Sequence, residues 1–122
     1  MMSSGATPSF LALQTRDPEA SARFYEQQLG MRRAPQAPPG AVVFPTASIP
    51  FAVRLPDEGL DPEAGPAGLG IALWLRAEGV EALHERLAAD GVDIVRGPHD
   101  TPFGRAIVVR DPAGYRLTLH EG

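Results

Sequence analysis

One order of elements occurs twice in this chain, and that repetition constrains the fold more than any single motif does. "FLALQTR" (10–16) and "GIALWLR" (70–76) align without a gap, and each alternates as a strand does. After the first, Asp17 is a good N-cap and Pro18 stands at the first helical position, where its missing N–H costs nothing. "EASARFYEQQL" then reads as a helix with Phe24 and Leu29 toward a core, and Gly30 supplies a left-handed stop. After the second, "GVEALHERLAADG" (79–91) reads as a helix whose Val80, Leu83, Leu87 and Ala88 form an apolar stripe ended by Gly91. "AVVFPTASIPFAVRLP" (41–56) and "RAIVVRDPAGYRLTLH" (105–120) also align without a gap. Each half therefore reads strand, helix, then two or three strands, at a period of about 60 residues, which is an internal duplication. Few letters are shared. The order and spacing of elements carry the argument.

Length and composition set the outer bounds. A chain of 122 residues can bury about two-thirds of its unfolded surface, enough for one domain, whereas a half alone would be marginal. The expected layout is a disordered lead-in (1–8) and a single domain (9–122). Within it lie a first module (about 9–56), an acidic Pro/Gly-rich linker (about 57–68) and a second module (about 69–121). The N-terminus lacks a basic region and a long apolar core, so it does not read as a signal peptide, and there is no apolar run of about 18 residues to span a membrane. The absence of cysteine excludes disulfides and thiolate chemistry and fits the cytoplasm. A net charge of −4 argues against nucleic acid as a partner, since phosphate binding needs a basic face. All 11 cationic side chains are arginine, which with 13 Gly and 13 Pro points to a GC-rich genome rather than to a function.

Three phrases resemble a known family: "RDPEASARFYEQQLGM", "GIALWL…VEALHERLAADGV" and "TPFGRAIVVRDPAGYRLTLHE". Together, over residues 9–121, they are similar to the vicinal oxygen chelate superfamily of glyoxalases, extradiol dioxygenases, fosfomycin-resistance enzymes and bleomycin-resistance proteins. The resemblance implies an α+β fold of two βαβββ modules, with eight strands and two main helices, each module bending its sheet into half a cup. It also implies a homodimer, consistent with the sheet edges each module would leave open. Enzyme members hold one divalent metal with His, Gln or Glu side chains on the opening and closing strands of each module. Those positions map here to Phe10, Gly70, Arg54 and Thr118. Phe and Gly offer no donor, Thr a weak neutral one and Arg a permanent positive charge, so the expectation is no metal and no cofactor. The three histidines do not rebuild a site in the sequence. His84 reads as a partly exposed helix residue, His99 as part of a loop "GPHDTP", and His120 as a rim residue on the last strand.

Alternation then divides the strands into two faces. Phe10, Ala12, Gln14, Ala52, Arg54, Gly70, Ala72, Trp74, Arg116, Thr118 and His120 face the cup. Leu11, Leu13, Phe51, Val53, Leu55, Ile71, Leu73, Leu75, Tyr115, Leu117 and Leu119 face the helices. Small residues make a roomy floor, Phe10 and Trp74 flat walls, and Gln14, Arg54, Arg116, Thr118 and His120 polar contacts. This suits a small-molecule ligand, aromatic or anionic. The plainer reading is that Phe10 and Trp74 plug the cup or a dimer interface, and that the arginines pair with acidic neighbours. No Ser–His–acid set, paired inward carboxylates or phosphate-cradling glycine loop emerges, and "DPAG" (111–114) reads as a turn in which Asp111 and Gly114 set backbone geometry. The expectation is a metal-independent protein of the bleomycin-resistance type that sequesters a natural product. The alternatives are a lyase or isomerase with displaced or absent metal ligands, and a ligand sensor or interaction domain.

Overall fold

A computed structural model describes residues 5–122; of the expected lead-in, residues 1–4 lie outside those described. Contacts divide the chain into two compact units that part between Leu60 and Asp61. The first carries β1 (Leu11–Gln14), α1 (Pro18–Gln27), β2 (Ala41–Phe44) and β3 (Phe51–Arg54). The second carries β4 (Leu73–Arg76), α2 (Val80–Ala89), β5 (Asp93–Thr101), β6 (Gly104–Arg110) and β7 (Arg116–His120). The sheets run β1-β3-β2 and β4-β7-β6-β5, with the pairs β1/β3 and β4/β7 parallel and the rest antiparallel. This is the α+β duplication expected, with seven strands among the described residues rather than eight.

The missing strand has a chemical cause. The stretch matching β5 in the first unit is "RAPQAPPG", where Pro35, Pro38 and Pro39 have no N–H to give to a ladder. Ala34 there still donates its N–H to the Val43 carbonyl (2.7 Å). In the second unit β4 begins three residues later than expected. Gly70 stands at φ +82°, and the Ile71 N–H closes a turn onto the Gly68 carbonyl (2.8 Å). Gly70 and Ala72 are therefore outside the strand, and Ile71, expected in the core, is 69% exposed.

In the first unit, Asp17 caps α1 by accepting the Ala20 N–H (3.1 Å). The helix presents Ser21, Ala22, Phe24 and Tyr25 to the sheet. Tyr25 rather than Leu29 is the centre of this core. Its ring lies 4.9 Å from that of Phe51 and 6.2 Å from that of Phe44, and Leu13 and Val53 complete the buried face. In the second unit Val80 and Leu87 of α2 are fully buried, as are Ile107, Val109 and Leu117, while Ala88 is exposed. Burying each large side chain contributes about 1.5–3 kcal/mol.

Arg33 clamps the exposed side of α1. Its Nε and Nη2 donate to Glu26 (2.8 and 2.7 Å), and Nη1 and Nη2 donate to Glu19 (3.0 and 2.6 Å). These hydrogen bonds hold both carboxyls below their ordinary value of 4.5. A depressed carboxyl stabilises the fold above its unfolded pKa and loses that contribution as pH falls through its folded value. Arg33→Met is thus expected to melt below the wild type at neutral pH, with the gap closing as the pH falls below about 4.5. Thermal melts across that range check it; a pH-independent gap would mean the clamp acts only through packing.

Candidate functional site

The first unit's sheet has a second face, turned away from α1, and a concavity of about 370 Å³ lies on it. Ala41, Val43 and Ala52 line it from the strands, with Phe10 at one side. Pro38, Pro39 and Gly40 form another wall, and Arg54, Leu55 and Pro56 a third. Alternation puts Val43 and Ala52 on this face because their strand neighbours Phe44, Phe51 and Val53 are committed to the core. Gly40 is required where it stands. Its φ is +78°, and a Cβ there would come within 2.9 Å of Leu55 Cδ1. Phe10 is 52% exposed and Leu55, expected in the core, is 48% exposed, so both present apolar surface.

The polar groups of this site are already engaged. Arg54 Nη1 donates to the Leu55 carbonyl (2.9 Å), and Nη2 donates to Asp57 Oδ1 (2.5 Å). Gln14 Oε1 accepts the Asp57 N–H (2.7 Å). The two polar side chains expected to meet a ligand thus both hold Asp57. The concavity itself is mostly apolar, with Arg54 its sole charged lining residue among those described.

The second unit carries the other expected residues, on the sheet face opposite its core. Trp74 pairs with Thr118, and Arg76 with His120, across β4 and β7. Trp74 is 40% exposed and stands edge-on to the rings of His120 (5.3 Å) and Phe103 (5.7 Å). The Phe103 carbonyl lies 3.0 Å from His120 Nδ1. A carbonyl can only accept, so the proton sits on Nδ1, and Nε2 is left as an acceptor in the neutral ring. Arg116 is exposed and opposite Arg110, which pairs with Asp93 (2.9 Å).

Two residues on this face were not expected there. His99 belongs to β5 rather than to a loop, and the pairings His99–Ala106 and Ala106–His120 put both histidines on one face. Its Nδ1 likewise meets a carbonyl, that of Gly97 (2.8 Å). Arg96 joins the row of Val108, Thr118 and Trp74. Gly97 and Pro98 concealed this strand in the sequence. The alternation beyond them was the available signal.

The registers are consistent with the alignment of the halves. Leu11 pairs with Phe51 in the first unit and Leu73 with Leu117 in the second, so the parallel pairing spans four more residues in the second. The ungapped alignments that match Phe10 with Gly70 and Arg54 with Thr118 differ by the same four. A divalent ion needs about three protein donors, whereas Phe10 and Gly70 have none to offer, Thr118 a weak neutral one and Arg54 a positive charge. The side chains at these positions do not fit the metal that the fold implies. Among the described residues no cluster of three or more His, Asp or Glu could hold an ion.

No helix among the described residues is long and apolar enough to cross a membrane. No curated protein sequence matches the chain. Solved structures do. A glyoxalase-related enzyme from Fulvimarina pelagi is 26% identical with a TM-score of 0.73, over 93% of this chain and 86% of that one. A glyoxalase/bleomycin resistance protein/dioxygenase from Nocardioides is 25% identical with a TM-score of 0.71, over 97% and 84%. TnmS3, an antibiotic binding protein from Streptomyces sp. CB03234, is 24% identical with a TM-score of 0.70, over 98% of both chains. With its paired modules, and with a family model matching residues 7–119, the chain belongs to the Glyoxalase/Bleomycin resistance protein/Dioxygenase superfamily, the vicinal oxygen chelate group.

Proposed function

We propose that this chain is a metal-independent small-molecule binding protein that holds a hydrophobic or aromatic natural product stoichiometrically, as a cytoplasmic homodimer. The observation that carries the reading is the apolar concavity of about 370 Å³ in the first unit, floored by Ala52 and walled by Phe10 and Leu55. That volume falls in the range of small-molecule sites. Donor-poor side chains at the metal positions agree with it, and the fold is shared with an antibiotic-binding protein. The second unit has its own aromatic and polar surface, of Trp74, Arg116, Thr118 and His120.

Calorimetric titration with aromatic and glycopeptide-type natural products, followed by recovery of the ligand, tests the reading. Saturation near one ligand per chain with the ligand intact is expected. Phe10→Ala should weaken binding about five- to tenfold, since covering its exposed ring is worth roughly 1 kcal/mol or somewhat more. Absence of binding across the panel would overturn the proposal. The second reading is a metal-free lyase or isomerase, supported by the Nε2 acceptors of His99 and His120 on one face. Product formation abolished by His120→Gln would favour it.

A further inference from the structure

Resting on that binding reading, we propose that Asp57 is an internal counter-ion occupying the seat of a ligand's anionic group. The first unit then selects aromatic acids, whose carboxylate or sulfonate displaces Asp57 from Arg54. Among the described residues Arg54 is the sole charged one lining an otherwise apolar concavity, so it is the group there that can reward a charge on the ligand. Two of its five N–H groups go to Leu55 and Asp57, and the fork has three more directions to offer an oxyanion.

The pair is built to part. Asp57 is 62% exposed and Arg54 34%, and an ion pair as exposed as this is worth no more than about fivefold in an equilibrium constant. The Asp57 backbone is held independently of the carboxylate. Its N–H donates to Gln14 Oε1 (2.7 Å), and its carbonyl accepts the Leu60 N–H (3.0 Å). The carboxylate can therefore rotate into solvent while the strap stays in place. A ligand anion beside the apolar wall is less hydrated than Asp57, so its attraction to the guanidinium is stronger. A neutral ligand gains nothing from Arg54 and leaves the internal pair intact.

The test uses two fluorescent probes with one ring skeleton: 8-anilinonaphthalene-1-sulfonate and the neutral N-phenyl-1-naphthylamine. Asp57→Asn keeps the backbone bonds and removes the charge. It should tighten the sulfonate about two- to fivefold and leave the neutral probe unchanged. Arg54→Met should weaken the sulfonate about tenfold, with the neutral probe within about twofold. Amide shift changes at Gly40, Ala41 and Ala52 should place both probes in the concavity. If both probes bind there but respond alike to each variant, the counter-ion proposal is overturned and the binding reading stands. Saturable binding of neither probe, or shift changes confined elsewhere, overturns both.

Discussion

Phe44→Ala is expected to destabilise the protein by about 3–5 kcal/mol, the range for deleting a fully buried ring. Phe44 is completely inaccessible, stacks on Phe51 at 5.9 Å and lies 6.2 Å from Tyr25, so two rings lose a neighbour at once. Each such aromatic pair adds about 0.5–1.5 kcal/mol to the area buried. For a chain this long the midpoint of thermal unfolding should fall by about 10–20 °C, read by circular dichroism. Phe10→Ala is the matched control, because Phe10 is half exposed and outside the cluster. It should change stability by less than about 0.5 kcal/mol. Equal effects at the two positions would show that the core of the first unit is misassigned.

Asp111→Ala should cost about 2–4 kcal/mol, although the residue sits in a turn. Only 4% exposed, its Oδ1 accepts the N–H groups of Ala113 and Tyr115, each at 2.9 Å. Backbone bonds from Asp111 N–H to the Tyr115 carbonyl (2.9 Å) and from Gly114 N–H to the Asp111 carbonyl (3.0 Å) close the same hairpin. Removing the carboxylate strands two partly buried donors, whereas Asp111→Asn keeps the acceptor and should cost about 1 kcal/mol. Denaturant titration ranks the variants, and faster amide exchange at Ala113 and Tyr115 locates the loss. If alanine and asparagine prove equal, the Oδ1 bonds contribute little.

Alternation made much of the fold legible. Leu13, Phe51, Val53, Leu117 and Leu119 are buried as their parity demands, because a strand against a helix layer has one dry face. The failures lie where backbone chemistry outranks the pattern. β5 runs through Gly97 and Pro98, which read as punctuation; as an edge strand with register shifts at Arg96 and His99 it tolerates both. The corresponding stretch of the first unit, with three prolines, forms no strand. Leu73 and Leu75 face the helix side but are only half-buried, on an edge strand.

The candidate site was legible in facing and not in partnership. Arg54 and Phe10 line the concavity as alternation requires, yet nothing in the strand pattern shows that Asp57, three residues on, would take up both Arg54 and Gln14. Such turn contacts depend on where the chain goes after the strand ends. Pro38, Pro39 and Gly40 escape the strand pattern, since wall residues outside regular elements have no periodicity to mark them. The seven expected residues divide between the units: Phe10, Gln14 and Arg54 in one, Trp74, Arg116, Thr118 and His120 in the other.

The parallel pairing spans four more residues in the second unit than in the first, an even number, and that bears on how such a chain can change. Losing one residue inside β3 would send Phe51 and Val53 into the binding face and Ala52 and Arg54 into the core, a reversal no side chain could survive. Losing two leaves every inside residue inside. The halves of a duplicated ancestor can thus drift apart by even steps in their strands without forfeiting the fold. Each such step nonetheless changes which side chain of that strand stands where a metal would be held, so a length change alone can remove a ligand.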